Sequence, residues 1–280
     1  MMAMAGKHPP DPRSLHLQDL PRASASELRR HIREQRFDRP TAGLAVGYAQ
    51  ANVVILPADV ADEFAEFCRL NAQACPLIDR TAPGDFHPKV AAPQADLRTD
   101  IPRYRVFRHG EAEPEEPREI KHLWRDDSVG FLLGCSFTFE YALVAAGLEV
   151  RHIEQGRNVP MYRTNRPCIT AGRFAGPLVV SMRPFRNADV PRVIEISSRF
   201  PRMHGAPVHV GDPAALGIAD LARPEFGESV RVADDEVPVF WACGVTPQEA
   251  LRQAAVPLCI THSPGCMFVT DLRDEDFDEG

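Results

Sequence analysis

None of the seven cysteines in this 280-residue chain forms a Cys-x-x-Cys pair. That removes the paired-thiolate signature of a structural zinc site. No stretch approaches the ~20 consecutive apolar residues of a membrane helix. The opening segment, MMAMAGKHPPDPRSLHLQDLP, lacks the continuous apolar centre of a signal peptide. Positive charge is not in excess: the net charge is -7 and the isoelectric point about 5.8, so a nucleic-acid surface is not expected. There is no internal repeat and no long flexible linker.

What is present suits an ordinary globular enzyme. Hydrophobic residues make up 44% and charged residues 25%, enough for a substantial core. The length allows one large domain or two smaller ones. The cysteines are odd in number, and several sit in apolar runs such as FLLGCSF and PLCIT. Buried free thiols of this kind fit a reducing, cytoplasmic setting. Acidic residues gather at the end, where Asp274, Glu275, Asp276, Asp278 and Glu279 follow Arg273.

Strand and helix signals alternate, punctuated by 26 prolines. Ser24 and Glu27 have the spacing of a capping box at the head of SELRRHIREQRF. ANVVILP reads as a strand buried on both faces. ADVADEFAEFCRLNAQA follows as a helix and CPLIDR as a second strand, so βαβ spacing suggests a parallel sheet. DDSVGFLLGCSFTFEYALVAAG reads as mostly helical with a break near Gly134, and LEVRHIEQG as strand-like. The expected class is α/β or mixed α+β. The expected layout is a disordered leader over 1–23, a main domain over 24–130 and 222–272, a smaller α+β domain over 131–221, and an acidic tail over 273–280.

Candidate chemistry concentrates at a few places. In VFWACGVTPQEA a buried strand ends at Cys243-Gly244 and a helix follows, with Thr246 as N-cap, Pro247 at N1 and Glu249 at N3. Free N–H groups at such a start bind anions. Gly244 would let a carboxylate approach the backbone, and Cys243 could have a lowered pKa. His262, at a strand end beside a Ser-Pro-Gly turn, is a candidate acid or base. Glu140, between Phe139 and Tyr141, is placed where an apolar setting would raise its pKa, with Cys135 and Ser136 nearby. The stretch RHIEQGRNVPMYRTN offers Arg157 and Asn158 as carboxylate ligands and Tyr162 as an assisting group. Arg183 ends an apolar strand, where a guanidinium needs a partner or a ligand. His204, His209 and Asp212 could hold a metal, although their spacing matches no recognised site.

The segments TAGLAVGYAQANVVILP, LWRDDSVGFLLGCSFTFE, VRHIEQGRNVPMYRTN, SSRFPRMHGAPVHVGDPAALGI, VPVFWACGVTPQ and ITHSPGCMFVTDL resemble the bacterial "putative hydro-lyase" family, which is related to D-glutamate cyclase. The resemblance runs from about Ser26 to Leu272. It implies a three-layer α/β sandwich with a smaller α+β domain. It also implies a carbon–oxygen lyase of the hydro-lyase class, with conversion of D-glutamate to 5-oxo-D-proline and water as the leading case.

The residues then divide by role. His262, Cys243, His209, Glu140 and Tyr162 are the catalytic candidates; Arg157, Asn158, Arg183, Gly244 and Thr246 are the substrate-binding ones. No cofactor and no metal are expected. The partner is a small carboxylate, with neither nucleic acid nor membrane, and the chain allows a homo-oligomer. Two other readings stay open: a non-catalytic carboxylate binder, and a metal-dependent hydrolase using His204, His209 and Asp212.

Overall fold

The computed structural model describes residues 17–280. Residues 1–16 of the expected leader lie outside the described residues. Its last part, Leu17–Arg22, is not irregular but a 3-10 helix. Leu20 anchors it by packing with Leu28, Ile32 and Phe37.

In chain order the elements are α1 (Ala25–Arg33), β1 (Tyr48–Pro57), α2 (Ala58–Leu70), β2 (Leu77–Arg80), β3 (Tyr104–Arg108), β4 (Glu111–Ala112), β5 (Ser128–Gly134), α3 (Phe137–Ala145), α4 (Arg151–Glu154), β6 (Met161–Pro167), β7 (Pro177–Arg186), α5 (Val190–Ser198), β8 (His209–Val210), β9 (Glu236–Ala242), α6 (Val245–Ala254), β10 (Cys259–His262) and β11 (Phe268–Arg273). The capping box at α1 forms as expected, with Ser24 and Glu27 exchanging bonds across the first turn. Among the described residues no helix is long and apolar enough to cross a membrane.

The chain is mixed α+β, and its strands build two antiparallel sheets. A seven-stranded sheet runs β2-β5-β1-β10-β3-β4, with β11 also on β1; a four-stranded sheet runs β6-β7-β9-β8. The expected parallel sheet is therefore not formed. β1 and β2 do point the same way, as a βαβ crossover requires, but β5 lies between them and antiparallel to both. The apolar run in β1 reports burial on two faces rather than strand direction. Val53 and Ile55 face one core, while Val54 and Leu56 face the core beneath α2.

Two further expectations are corrected. The first half of the stretch expected to be helical is β5, buried at every position. Short apolar runs carry no period that separates strand from helix. Here β5 is flanked on both sides, by β1 and β2. Residues 151–154, expected to be extended, form the single turn α4. His152 alone in that turn is buried, and a single turn is too short to show a helical period.

One core joins the sheets. Trp241 and Val239 of β9 and Phe185 of β7 pack in the same cluster as Val53 and Ile55 of β1. The acidic end docks there too: Asp274–Phe277 form a 3-10 turn and Phe277 is buried.

Gly134, where β5 leaves the sheet, sets how closely the chain can pack. A Cβ there would lie 2.1 Å from the Arg202 carbonyl oxygen and 2.9 Å from the Met203 sulfur. Gly156 is the useful contrast, with φ +61° and open space around it. Gly134→Ala should therefore cost about 2 kcal/mol or more through overpacking. Gly156→Ala should cost about 1 kcal/mol from backbone conformation alone. Urea unfolding of both variants checks this, and equal midpoints would contradict the close approach at Gly134.

Candidate active site

Two strand-to-helix turns meet at the site. β5 runs through Cys135-Ser136 into α3, and β9 runs through Cys243-Gly244 into α6. Neither helix start receives a side-chain cap. The expected cap at Thr246 is replaced, because α6 begins at Val245 with Gly244 before it. Thr246 instead accepts the Val179 N–H at 3.0 Å and ties α6 to β7. Glu249 pairs with Arg163 at 2.8 Å.

Cys135, Ser136, Cys243, Gly244 and His262 line a cavity of about 50 Å³. Asn52 of β1 also lines it and donates to the Gly134 carbonyl at 2.7 Å. The close approach expected at Gly244 is made by this asparagine: a Cβ on Gly244 would lie 2.3 Å from Asn52 Nδ2.

His262 fills a gap in the large sheet. β10 covers one half of the β1 edge and β11 the other. Between them the Val53 N–H donates to His262 Nδ1 at 3.1 Å. Nδ1 also lies 3.5 Å from the Val53 carbonyl; the shorter contact to the N–H favours the tautomer with the proton on Nε2, which makes the ring a donor toward other groups. Burial lowers the His262 pKa to about 4, and Arg105 lowers it further against the Val53 backbone. His204, in left-handed backbone (φ 76°), places Nδ1 2.9 Å from the Gln73 carbonyl. Burial also takes it to about 4. Both rings are neutral at pH 7.

The Cys243 thiol is not activated. Burial pushes it up to about 11, outweighing the N–H groups of Val245 and Gly244 that favour the thiolate. Cys135 is likewise raised, to about 12. Both are thiols at neutral pH and can donate weakly, but they are poor nucleophiles.

A cleft of about 410 Å³ adjoins the cavity, and the two share Phe137, Asn158 and Gly265 in their walls. Arg157, Glu140 and His152 line the cleft, with Glu228 at the same face. Asn158 donates its backbone N–H to Glu228 at 3.1 Å. Arg157 is exposed and bonds the Ser229 carbonyl.

Behind the cleft is a buried charge network. Arg183 is fully buried and donates to Glu140 through Nε at 2.9 Å, to Ser136 at 2.9 Å and to Ser181 at 3.0 Å. Phe139 and Trp241 each lie 5.2 Å from its guanidinium. These partners occupy the donors expected to clamp a substrate, so within the site Arg157 is the arginine facing the cleft. Glu140 departs from expectation as well. Burial raises its pKa, but Arg183 and His152 outweigh that and hold it at about 2. The carboxylate is ionised.

The wider similarity now bears on the site. The family model for D-glutamate cyclase matches residues 129–271, which contain both turns and the buried network. A hydro-lyase of Rubrobacter xylanophilus, so named with the qualifier "putative", is 60% identical over 91% of this chain and 98% of its own. A relative of the same name from Stutzerimonas stutzeri is 59% identical over 90% and 95%. The Bacillus subtilis relative YcsI is 51% identical over 89% and 96%. The chain belongs to the D-glutamate cyclase family of hydro-lyases. A solved nitrogen repressor-like protein from Methanococcus jannaschii aligns over 88% of this chain at 9% identity with a TM-score of 0.37, too low to show a common fold.

Within this family member, the two sheets bring some of the candidates together and leave others apart. His262, Cys243, Gly244, Glu140, Arg157 and Asn158 line the joined cavity and cleft. Tyr162 is buried, donating to the Leu221 carbonyl at 2.7 Å. His209 sits on β8, 2.8 Å from the Asp212 carbonyl oxygen. Among the described residues no three His, Cys, Asp or Glu side chains group as a metal site, so His204, His209 and Asp212 do not form one. Asn52 lines the cavity without any signal in the sequence, and His152 lines the cleft although its face is not readable from the sequence alone. A histidine four residues before Gly156 is a weak signal until α4 fixes its face.

The two neutral histidines set an acid limit. Their folded pKa values, about 4, lie below the ordinary histidine value of 6.5. The unfolded chain thus binds more protons between those limits, and stability falls as pH drops from 6.5 toward 4. At about 1.4 kcal/mol per pKa unit the upper limit is roughly 3 kcal/mol per ring. Thermal melts should be level above pH 7 and fall steadily from pH 6.5 to 5. His262→Asn should make that slope shallower. A melting temperature constant over this window would contradict neutral burial of both rings.

Proposed function

We propose that the protein is a hydro-lyase for a small carboxylate, closing D-glutamate to 5-oxo-D-proline with release of water and using no metal or organic cofactor. The observation that carries this reading is the joined cavity and cleft. Two uncapped helix starts lie at its inner end and Arg157 with Asn158 at its outer end. D-glutamate carries a carboxylate at each end and an amine beside one of them. Arg157 holds the carboxylate that does not react. The reacting carboxyl group lies toward the inner turns, where backbone N–H dipoles favour negative charge.

In the reaction the substrate nitrogen attacks the distal carboxyl carbon. A C–N bond forms, an oxyanion develops, and a C–O bond then breaks. Two protons leave nitrogen and depart with the oxygen as water. His262 Nε2–H, which stays neutral at working pH, donates to the developing oxyanion. The Cys135 and Cys243 thiols shape the pocket and stay protonated.

Incubation of purified protein with D-glutamate, followed by chromatography for 5-oxo-D-proline, tests this. Product should accumulate, and His262→Ala should lower kcat by about 10²-fold while affinity changes only a few-fold. A folded protein that binds D-glutamate yet converts neither it nor any 2-hydroxy acid would be a carboxylate binder, and the hydro-lyase reading would fail.

A further inference from the structure

We infer that His152 is the general base of this site, with Glu140 holding its Nε2–H and leaving Nδ1 unpartnered within the wall of the cleft, where a small shift of the ring opens it to substrate. The inference rests on the hydro-lyase reading for its reaction, but its geometry stands apart from it.

His152 is positioned by the one turn of α4. Arg151 pins that turn to β9 through Glu236 at 2.5 Å. The neighbouring Ile153 points out, and His152 points in, buried to 5% exposure. Its Nε2 lies 3.3 Å from Glu140 Oε2. The other Glu140 oxygen is taken by Arg183 and by Ser136 at 3.3 Å. An ionised carboxylate only accepts hydrogen bonds, so Nε2 carries the proton. In the neutral ring Nδ1 is then a lone pair. That atom is buried and has no protein partner, and His152 lines the cleft. A buried acceptor left unmatched is destabilising, which a structural role does not explain.

His204, with Nδ1 on the Gln73 carbonyl, also keeps a lone pair on Nε2 and lines the inner cavity, but no carboxylate holds its ring; the other catalytic candidates offer the cleft no lone pair. His262 Nδ1 is taken by Val53. His209 and Tyr162 are engaged with backbone carbonyls away from the cavity and cleft. A base held by a carboxylate through its far nitrogen is the arrangement that orients an imidazole and stabilises its protonated form. Here the carboxylate is itself braced by a buried guanidinium.

The substrate ammonium passes a proton to Nδ1, and the free amine attacks the distal carboxyl carbon. Nδ1–H returns that proton to an oxygen of the tetrahedral adduct. The second nitrogen proton follows the same route. The C–O bond breaks, water leaves, and His152 is neutral again.

Long-range ¹⁵N–¹H NMR of histidine-labelled protein tests the geometry without turnover. The His152 signals are assigned by their loss in His152→Asn. Nδ1 should be unprotonated in the free protein, and its signal should move on adding D-glutamate or 5-oxo-D-proline. A protonated Nδ1, or a signal unmoved by both compounds, would overturn the inference. Where wild-type protein turns D-glutamate over, His152→Ala should lower kcat by 10²–10⁴-fold, change affinity only a few-fold, and recover activity with added imidazole. A kcat within three-fold of wild type would overturn the role of His152 and leave cyclisation standing. Absence of turnover in wild type would instead remove the hydro-lyase reading, with the NMR result alone deciding for His152.

Discussion

The ion pair between Arg183 and Glu140 is the contact on which the site depends. It spans the two parts of the molecule: Arg183 lies on β7 of the small sheet and Glu140 on α3, which follows β5 of the large one. Both side chains are buried, and taking two charges out of water costs several kcal/mol per ion. The pair is therefore weak evidence of stability. Its effect is on geometry. Glu140 is held ionised with one oxygen turned to His152, and Ser136 is held at the head of α3. Phe139 and Trp241 flank the guanidinium and exclude water that could compete for its donors. Loss of one partner would leave the other buried without compensation, a penalty on the order of 3–5 kcal/mol.

The antiparallel sheets explain why the cavity lies where it does. β5 and β9 belong to different sheets, yet each ends in a cysteine, a small residue and a helix start. Asn52 braces the junction, bonded to Gly134 and packed on Gly244. His262 completes it by filling the break between β10 and β11. The inner surface thus carries two thiols held by helix-start N–H groups and neutral rings, while the outer cleft carries Arg157 beside Glu228.

Much of this was legible in residues alone. Ser24 and Glu27 announce α1, the run through Val53 to Leu56 announces β1, and Cys243-Gly244 marks a strand giving way to a helix. The long segments shared with the hydro-lyases point to the family. Strand direction was not legible, because β1 is apolar on two faces in either kind of sheet. β5 was misread because seven buried residues show no period. The chemistry of Cys243, Glu140 and Arg183 depends on what lies opposite each group. A helix start favours a thiolate, but burial outweighs it at Cys243. Aromatic neighbours suggest a raised pKa at Glu140, but Arg183, 43 residues away in sequence, reverses the sign. His152 was hidden for the same reason, since its role needs both the α4 turn and the distant carboxylate.

The central claim is that one small dicarboxylate spans the inner turns, His152 and Arg157. A crystal structure with D-glutamate bound tests it most directly. One carboxylate should lie against the backbone N–H groups at the starts of α3 and α6, the other at Arg157, and the amine within hydrogen-bond reach of His152 Nδ1. A ligand bound elsewhere, or one whose amine points away from His152, would contradict the account.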